Sequence, residues 1–539
     1  MVIFNEPKRG EMGAALSTKE STSVAPTVEA PSDVAPTVET PSVAPTVEAP
    51  SVAPEVEAPS AAPAVERQEL DLASKPSQQP DAARIFTGKP TKGKRPMPST
   101  YQRSRWEKKY GSLFEDVLKG DENAPIRLVD AHWLVSRVSK GGELHGIAHR
   151  QSLPEAAFLS LAEVQMCGIA NGVLPIICVS YPWLSPAHPD PQGFHVTTLA
   201  RALHALTVEP ADVSATLVGP GNTQRYGVFI DFCSLFQHPR PDGGEFRTAG
   251  QDAKFKEGLS KLGALYSAPG TIVARLTALP DGYPAGYELP EGCNVAAYDN
   301  RGWCFTESRW ATLTKPDSAS LDIGRLGGGD GASLSRAELI ETCARGGSRP
   351  PPLLPAQFTE ALETKMFTNG KADRPLVGSL YETAFHNTFR HAFVLQYNHL
   401  GWDDDDVLQL SAVLDAVVEP AAVGKGKADA GTKGRSSRAA QLNELYLQGN
   451  TFGDAAAVTL CSVAARLRGL TWLNMSDNPK LSDDTLTHLA TLLDASRSNF
   501  KRLREVRLCG TSAGADAIQS LEKACVKRKV QLRLTMGSA

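Results

Sequence analysis

Seven residues in three separate stretches carry the side chains best suited to chemistry: Ser180, Tyr181 and Trp183; Asp231; and Arg301, Trp303 and Glu307. The run Leu174-Pro-Ile-Ile-Cys-Val-Ser-Tyr-Pro-Trp183 reads as a buried strand whose far end bears a hydroxyl and two aromatic rings. Val228, Phe229 and Ile230, between Gly227 and His238-Pro239, read as a second strand that ends in Asp231. In open parallel sheets, ligands bind beyond the carboxyl ends of the strands, so a carboxylate and a hydroxyl at two such ends are placed to hold a ligand. The third stretch, Arg301-Gly-Trp-Cys-Phe-Thr-Glu307, sets a carboxylate four residues after a tryptophan. Each position also has a structural use. Glu307 can pair with Arg301 or Arg309, the tryptophans can fill core, Ser180 can cap a helix, and Asp231 can anchor its own loop. Cys304 packs as a small hydrophobe. His145 and His149 lack a third ligand, so no metal site is expected.

The elements that must position these residues alternate in type. A helix is expected over 153–166, with Ala157, Phe158, Leu161 and Val164 as its apolar stripe. Strand 174–181 follows, then an amphipathic helix over 194–206, strand 226–231, a helix over 255–266, strand 271–276 and a helix containing 303–313. Strands alternating with helices imply an α/β fold, a parallel sheet with crossover helices on its faces. This domain is placed at 111–315, followed by a Gly- and Ser-rich linker at 316–350 and a helical bridging segment at 351–392. The five glycines between Gly324 and Gly331 precede no Gly-Lys-Ser/Thr, so they make no phosphate loop.

Residues 1–110 read as a disordered tail. Within it, variants of Ser-Val-Ala-Pro-Thr-Val-Glu-Ala-Pro repeat over 23–66, and a basic linker spans 84–109. Proline every few residues excludes helix interiors and central strands, which leaves a semi-extended spacer. Met12-Gly-Ala-Ala-Leu-Ser17 would be a myristoylation signal only if translation started at Met12. The 539 residues carry a formal net charge of −4, which argues against a nucleic-acid-binding body. Nine scattered cysteines without a Cys-x-x-Cys pair indicate neither a zinc ribbon nor a disulfide framework and fit a cytoplasmic, or nuclear, compartment. No apolar run is long enough to span a membrane.

From 393 to 539 a repeat takes over. Leu442-x-x-Leu445-x-Leu447-x-x-Asn450 recurs as Leu470-x-x-Leu473-x-Met475-x-x-Asn478 and, degraded, as Leu503-x-x-Val506-x-Leu508-x-x-Thr511. Phe393-x-Leu395-x-x-Asn398 reads as a first copy, separated from the second by an insertion at 424–438. A helix follows each copy, as at 455–467 and 485–493. The pattern resembles the leucine-rich repeat family in its long strand-plus-helix form, a short α/β solenoid in which the leucines fill the core and the asparagine bonds backbone in the turn. Asp403 to Asp406 suit a helix N-terminus there.

The three stretches of the first domain, with Leu265-Tyr-Ser-Ala-Pro-Gly-Thr-Ile-Val273, together resemble the heterokaryon-incompatibility (HET) domain. That family carries a Ser-Tyr-x-Trp strand end, an aromatic-Ile-Asp strand followed by Cys and Gln, and an Arg-x-Trp-Thr-x-Gln-Glu helix. Trp303-Cys304-x-x-Glu307 is also similar to the glutamate helix of Toll/interleukin-receptor (TIR) domains. Departures include Leu184 where the family has glycine, and extra residues around 208–224. The resemblance implies Glu307 as a catalytic carboxylate in an NAD nucleosidase, opposing the oxocarbenium charge that develops as nicotinamide leaves. It further implies Ser180, Tyr181, Trp183, Asp231, Arg301 and Trp303 around the ligand, NAD as substrate rather than cofactor, and self-association of the domain. The resulting expectation is a modular intracellular sensor or signalling protein whose repeats bind a protein partner. Its alternatives are a non-catalytic adaptor or scaffold, and a regulator resembling the Ran GTPase-activating proteins.

Overall fold

The computed structural model describes residues 100–535 apart from 119–122, 140–146, 208–224, 239–246, 290, 328–333, 345–348, 369–372 and 419–441. The proline-rich tail, most of the basic linker and the insertion at 424–438 lie outside the described residues.

The first sheet has six strands, in the order β2 (Phe158–Leu159), β1 (Leu128–Asp130), β4 (Gly227–Phe229), β3 (Ile176–Ser180), β5 (Ile272–Arg275) and β6 (Ser320–Asp322). β3 pairs in parallel with both β4 and β5, and β5 pairs in parallel with β6. β3 is buried along its whole length, and its side chains alternate between two apolar layers. Ile176 and Cys178 face the layer that holds α3 (Leu161–Asn171), α6 (Ala249–Ser267) and α7 (Gly302–Thr312). Ile177 and Val179 face the layer that holds α2 (Ala131–Ser139), α4 (Phe194–Thr207) and α8 (Arg336–Ala344). Because successive strand residues point to opposite faces, a strand covered on both must be apolar throughout, which is why it reads as a continuous run.

Three expectations need correction. The sheet is mixed, since β1 runs antiparallel to both β4 and β2. β1 precedes the first crossover helix and meets Gly227 closely: a Cβ there would stand 2.8 Å from a Leu128 methyl. The segment 153–166 is not one helix. Phe158 and Leu159 pair with β1, and α3 starts only at Leu161, where Ser160 and Glu163 form a capping box. The segment 316–350 is not merely a linker, because β6 and α8 complete the first sheet and its second layer, with Leu321, Ile323, Leu339 and Cys343 buried. At the other end, α1 (Thr100–Asp116) begins inside the basic stretch, and buried Trp106 donates from Nε1 to Val173 O at 2.7 Å.

The second sheet is all parallel and in chain order: β7 (Val394–Gln396), β8 (Glu444–Tyr446), β9 (Trp472–Asn474), β10 (Glu505–Arg507) and β11 (Gln531–Arg533). The first four strands each lead into a helix: α11 (Asp404–Val418), α12 (Asp454–Ala464), α13 (Asp483–Ala495) and α14 (Ala515–Arg528). Leu445, Leu447, Leu473, Met475, Val506 and Leu508 all point into one buried core. Two side-chain ladders tie the units together. Asn478 donates to Leu447 O and Met475 O and accepts from Asn450 N–H. First-turn aspartates reach the N–H that opens the next helix: Asp404 to Gly453, Asp454 to Ser482, and Asp483 to Gly514.

The register of the first copy differs from the expected one. Leu395 pairs with Leu445, not Leu447, so the position equivalent to Asn450 is Leu400, and Asn398 is not a ladder residue. Locally the spacing Leu395-x-x-Asn398 copies Leu447-x-x-Asn450 and favours the other alignment; only the backbone pairing overrides it.

α9 (Pro355–Leu362) and α10 (Asp373–His391) join the two sheets through one apolar core. Phe358 stacks on Tyr381 at 3.8 Å and on Phe305 at 5.5 Å. Arg349 closes the seam, donating to Gln396 O at 3.0 Å and Thr312 O at 3.3 Å.

Candidate functional site

The winding of the first sheet reverses between β3 and β5. From β3 the chain crosses through α4 to β4 on one side, and from β5 it crosses through α7 to β6 on the other. The crevice at such a switch point is where ligands settle in open α/β sheets. Here Ser180, the last residue of β3, is in register with Arg275, the last residue of β5.

Ser180 Oγ is hydrogen-bonded to Glu307 Oε2 at 2.6 Å and lies 2.7 Å from the phenol oxygen of Tyr298. Either hydroxyl can donate in the second bond, according to whether Ser180 or the Glu307 carboxyl supplies the hydrogen between them. Glu307 also lies within hydrogen-bond reach of Tyr266, whose own hydroxyl donates to Val179 O at 2.6 Å. Burial pushes the Glu307 carboxyl up to about 8, the negative charge of Asp231 adds to the rise, and the Ser180 hydrogen bond opposes it. At neutral pH Glu307 is therefore mostly the neutral acid. Its side chain does not pair with Arg301 or Arg309. The guanidinium of Arg301 donates instead to Trp183 O at 2.5 Å and Ala296 O at 2.7 Å, and that of Arg309 lies over the Phe305 ring.

Asp231 forms the second half of the cluster; the expected strand 226–231 stops at Phe229, and Asp231 opens the one-turn helix α5 (Asp231–Ser234). It accepts from the Tyr181 hydroxyl at 2.6 Å, from Trp183 Nε1 at 3.1 Å and from Phe232 N–H at 2.7 Å. Gln237, just beyond, fastens the loop by donating to Asp231 O at 2.9 Å. The geometry thus gathers Ser180, Tyr181, Trp183, Asp231, Arg301 and Glu307 at the carboxyl ends of β3 and β4. It does not bring Trp303 with them: that indole turns toward α10 and donates to Asp373 at 3.0 Å. Tyr298, Tyr266 and Arg275 are members that residue spacing did not single out. Tyr298 opens a single 3-10 turn, Tyr298–Asn300, too short to show a period, so no local pattern marks it.

In this conformation the cluster is sealed: Ser180 is 0 %, Tyr298 2 % and Glu307 5 % exposed. Cys304 beside it is buried, and its thiol is pushed up to about 12, so it is inert. His145 lies outside the described residues, and among those described no group of His, Cys, Asp or Glu is arranged to hold a metal.

A second surface is open. Side chains on the outer face of the second sheet alternate with the buried leucines, so Glu444, Tyr446, Trp472, Arg507 and Arg533 face away from the helices. Trp472 sits 6.2 Å from Tyr446 and carries the Arg507 guanidinium 4.4 Å above its ring. No described helix is long and apolar enough to cross a membrane.

No protein-family model matches the chain, and no curated protein matches it.

Proposed function

We propose that this chain is a modular interaction and signalling protein, in which leucine-rich repeats at 393–539 bind a protein partner and a HET/TIR-like domain is coupled to them. The observation that carries the reading is the Tyr446–Trp472–Arg507 cluster on the outer face of the repeat sheet. Trp, Tyr and Arg are the residues that dominate binding energy at protein interfaces, and here they are held on a rigid sheet rather than a loop. The continuous core through α9 and α10 supports mechanical coupling between the two parts. Nine unpaired cysteines, eight of them buried, support a reducing compartment, the cytoplasm or nucleus. The test compares proteins retained from a cell extract by the wild-type chain and by Trp472→Ala/Arg507→Glu. A partner held by the wild type and lost from the folded variant is the expected result; identical retention would remove this face from recognition.

One observation favours a second reading, NAD cleavage by the α/β domain: Glu307, Ser180 and Tyr298 converge at the switch point between β3 and β5. A carboxyl shifted by burial at such a crevice is the kind of group found in active sites. Opposing an oxocarbenium charge requires the ionised form, so nicotinamide release would rise with pH through about 8 unless the site opens to water. The measurement is nicotinamide release by concentrated wild type and by Glu307→Gln. Release by the wild type alone supports catalysis; equal release removes Glu307 from it, and none from either leaves the adaptor reading.

A further inference from the structure

The outer face of the second sheet presents two accessible guanidiniums beside an unmet donor. Across the strands, Gln396, Tyr446, Asn474, Arg507 and Arg533 stand in one row. Val394, Glu444, Trp472, Glu505 and Gln531 stand in the row beside it. The two carboxylates in these rows are already engaged. Glu444 accepts from the Tyr446 hydroxyl at 2.8 Å. Glu505 lies 2.8 Å from Arg507 Nε and 3.8 Å from Arg533 Nε, so one carboxylate serves two guanidiniums. The Glu505 side chain is 11 % exposed, whereas Arg507 is 41 % and Arg533 52 % exposed, so at the β10–β11 edge the more accessible charge is positive. Trp472 Nε1, under the same guanidinium, has no acceptor among the described residues although it is shielded from solvent. A buried indole N–H without an acceptor is costly, and an anionic acceptor such as a carboxylate brought to Arg507 satisfies both.

We propose that this face binds an extended acidic segment of another protein, presenting an apolar side chain to Tyr446 and Trp472 and, two residues on, a carboxylate to Arg507 and Arg533. The inference rests on reading this face as the partner surface and adds the chemistry of the partner. The spacing follows from geometry. Neighbouring strands lie about 4.8 Å apart and an extended chain advances about 3.3 Å per residue, with alternate side chains on one side. A segment crossing the strands from β9 toward β11 thus places residues i and i+2 over Trp472 and the two arginines. Because the arginines are exposed, the charge pairing sets specificity and association rate, and the aromatic pair anchors the apolar residue.

The test is selection of a random peptide library on the full-length chain, followed by titration of a selected, fluorescently labelled peptide. The expected consensus has Asp or Glu two residues from an apolar side chain. Arg507→Glu and Arg533→Glu should each weaken that peptide roughly tenfold or more, and a peptide with Lys in place of its acid should regain binding to the charge-reversed chain. Arg533 lies on the edge strand and circular dichroism checks the fold of both variants, so a loss of binding cannot be mistaken for unfolding. Peptides without acidic preference that still depend on Trp472 would overturn the acidic partner and leave the surface standing. Peptides indifferent to Trp472, Arg507 and Arg533 would overturn the surface itself, and a library that yields no binder overturns the inference.

Discussion

Asn450 supplies the hydrogen bonds that the turn at Leu400 lacks. The pairing of Leu395 with Leu445 sets Leu400 at the place in its own unit that Asn450 holds in the next. A leucine there can cap nothing, and Asn450 Oδ1 instead accepts from Leu400 N–H at 3.0 Å and Trp402 N–H at 3.2 Å. Its Nδ2 donates to Tyr397 O at 2.8 Å and Leu447 O at 2.9 Å.

Asn450→Ala therefore orphans Leu400 N–H, Trp402 N–H and Tyr397 O in the first unit, while Leu447 O keeps its bond from Asn478. With about 1–3 kcal/mol for each buried polar group left unsatisfied, a loss of several kcal/mol is expected in urea denaturation. Asn398→Ala should cost much less, because Asn398 Oδ1 has no partner among the described residues. Equal losses would mean that the register drawn for the first unit is wrong.

Leu447 is fully buried between β8 and the helices behind it. Leu447→Ala should destabilise by about 2–5 kcal/mol, the range for removing a leucine side chain from a core that relaxes only in part. A melting temperature unchanged from wild type would show that the site collapses or is not packed as described.

Glu307 gives a pH dependence of definite sign. The folded chain holds its carboxyl at about 8 against an ordinary 4.5, so the folded state keeps the proton longer than the unfolded one. The stability this confers is complete below the ordinary value and is lost as pH rises through the folded one, with about one proton released. Glu307→Gln cannot titrate, so wild type minus variant stability should decline from about pH 5 to about pH 8 and level off above. Lys315 is drawn down to about 7 by burial and titrates in the opposite sense, but it is present in both chains and cancels in the difference. A flat difference would place Glu307 in water rather than against Ser180.

Asp231→Ala leaves the Tyr181 hydroxyl and Trp183 Nε1 buried without their acceptor, and a loss of about 2–5 kcal/mol is expected from denaturant titration. Asp231→Asn retains one oxygen for Tyr181 and Phe232 N–H, so it should recover a substantial part of that loss. Identical effects of the two changes would show that the acceptor geometry is unimportant there.

The amino-acid sequence by itself determined what is local in period. Buried strands of the first sheet are apolar throughout because both faces are covered, so β3, which ends in Ser180, and β4, with Asp231 two residues beyond it, are legible as runs that stop at polar residues. The leucines of the second sheet are legible because one face of each short strand meets the helices at every turn. Glu307 is legible as a carboxylate on the helix that follows β5. Only the tertiary structure decided which of these residues meet. Ser180 and Glu307 are 127 positions apart, and Tyr298, the third member, comes from a single 3-10 turn too short to have a period of its own. Trp303, one turn from Glu307, goes to α10 because Asp373 offers its indole an acceptor there, which nothing near Trp303 in the chain could indicate. The antiparallel β1 and the register of Leu395 on Leu445 are likewise settled by backbone pairing between distant segments. Residue patterns encode which side chains must leave water, whereas partners across a sheet or a core are chosen by packing and loop closure over the whole chain.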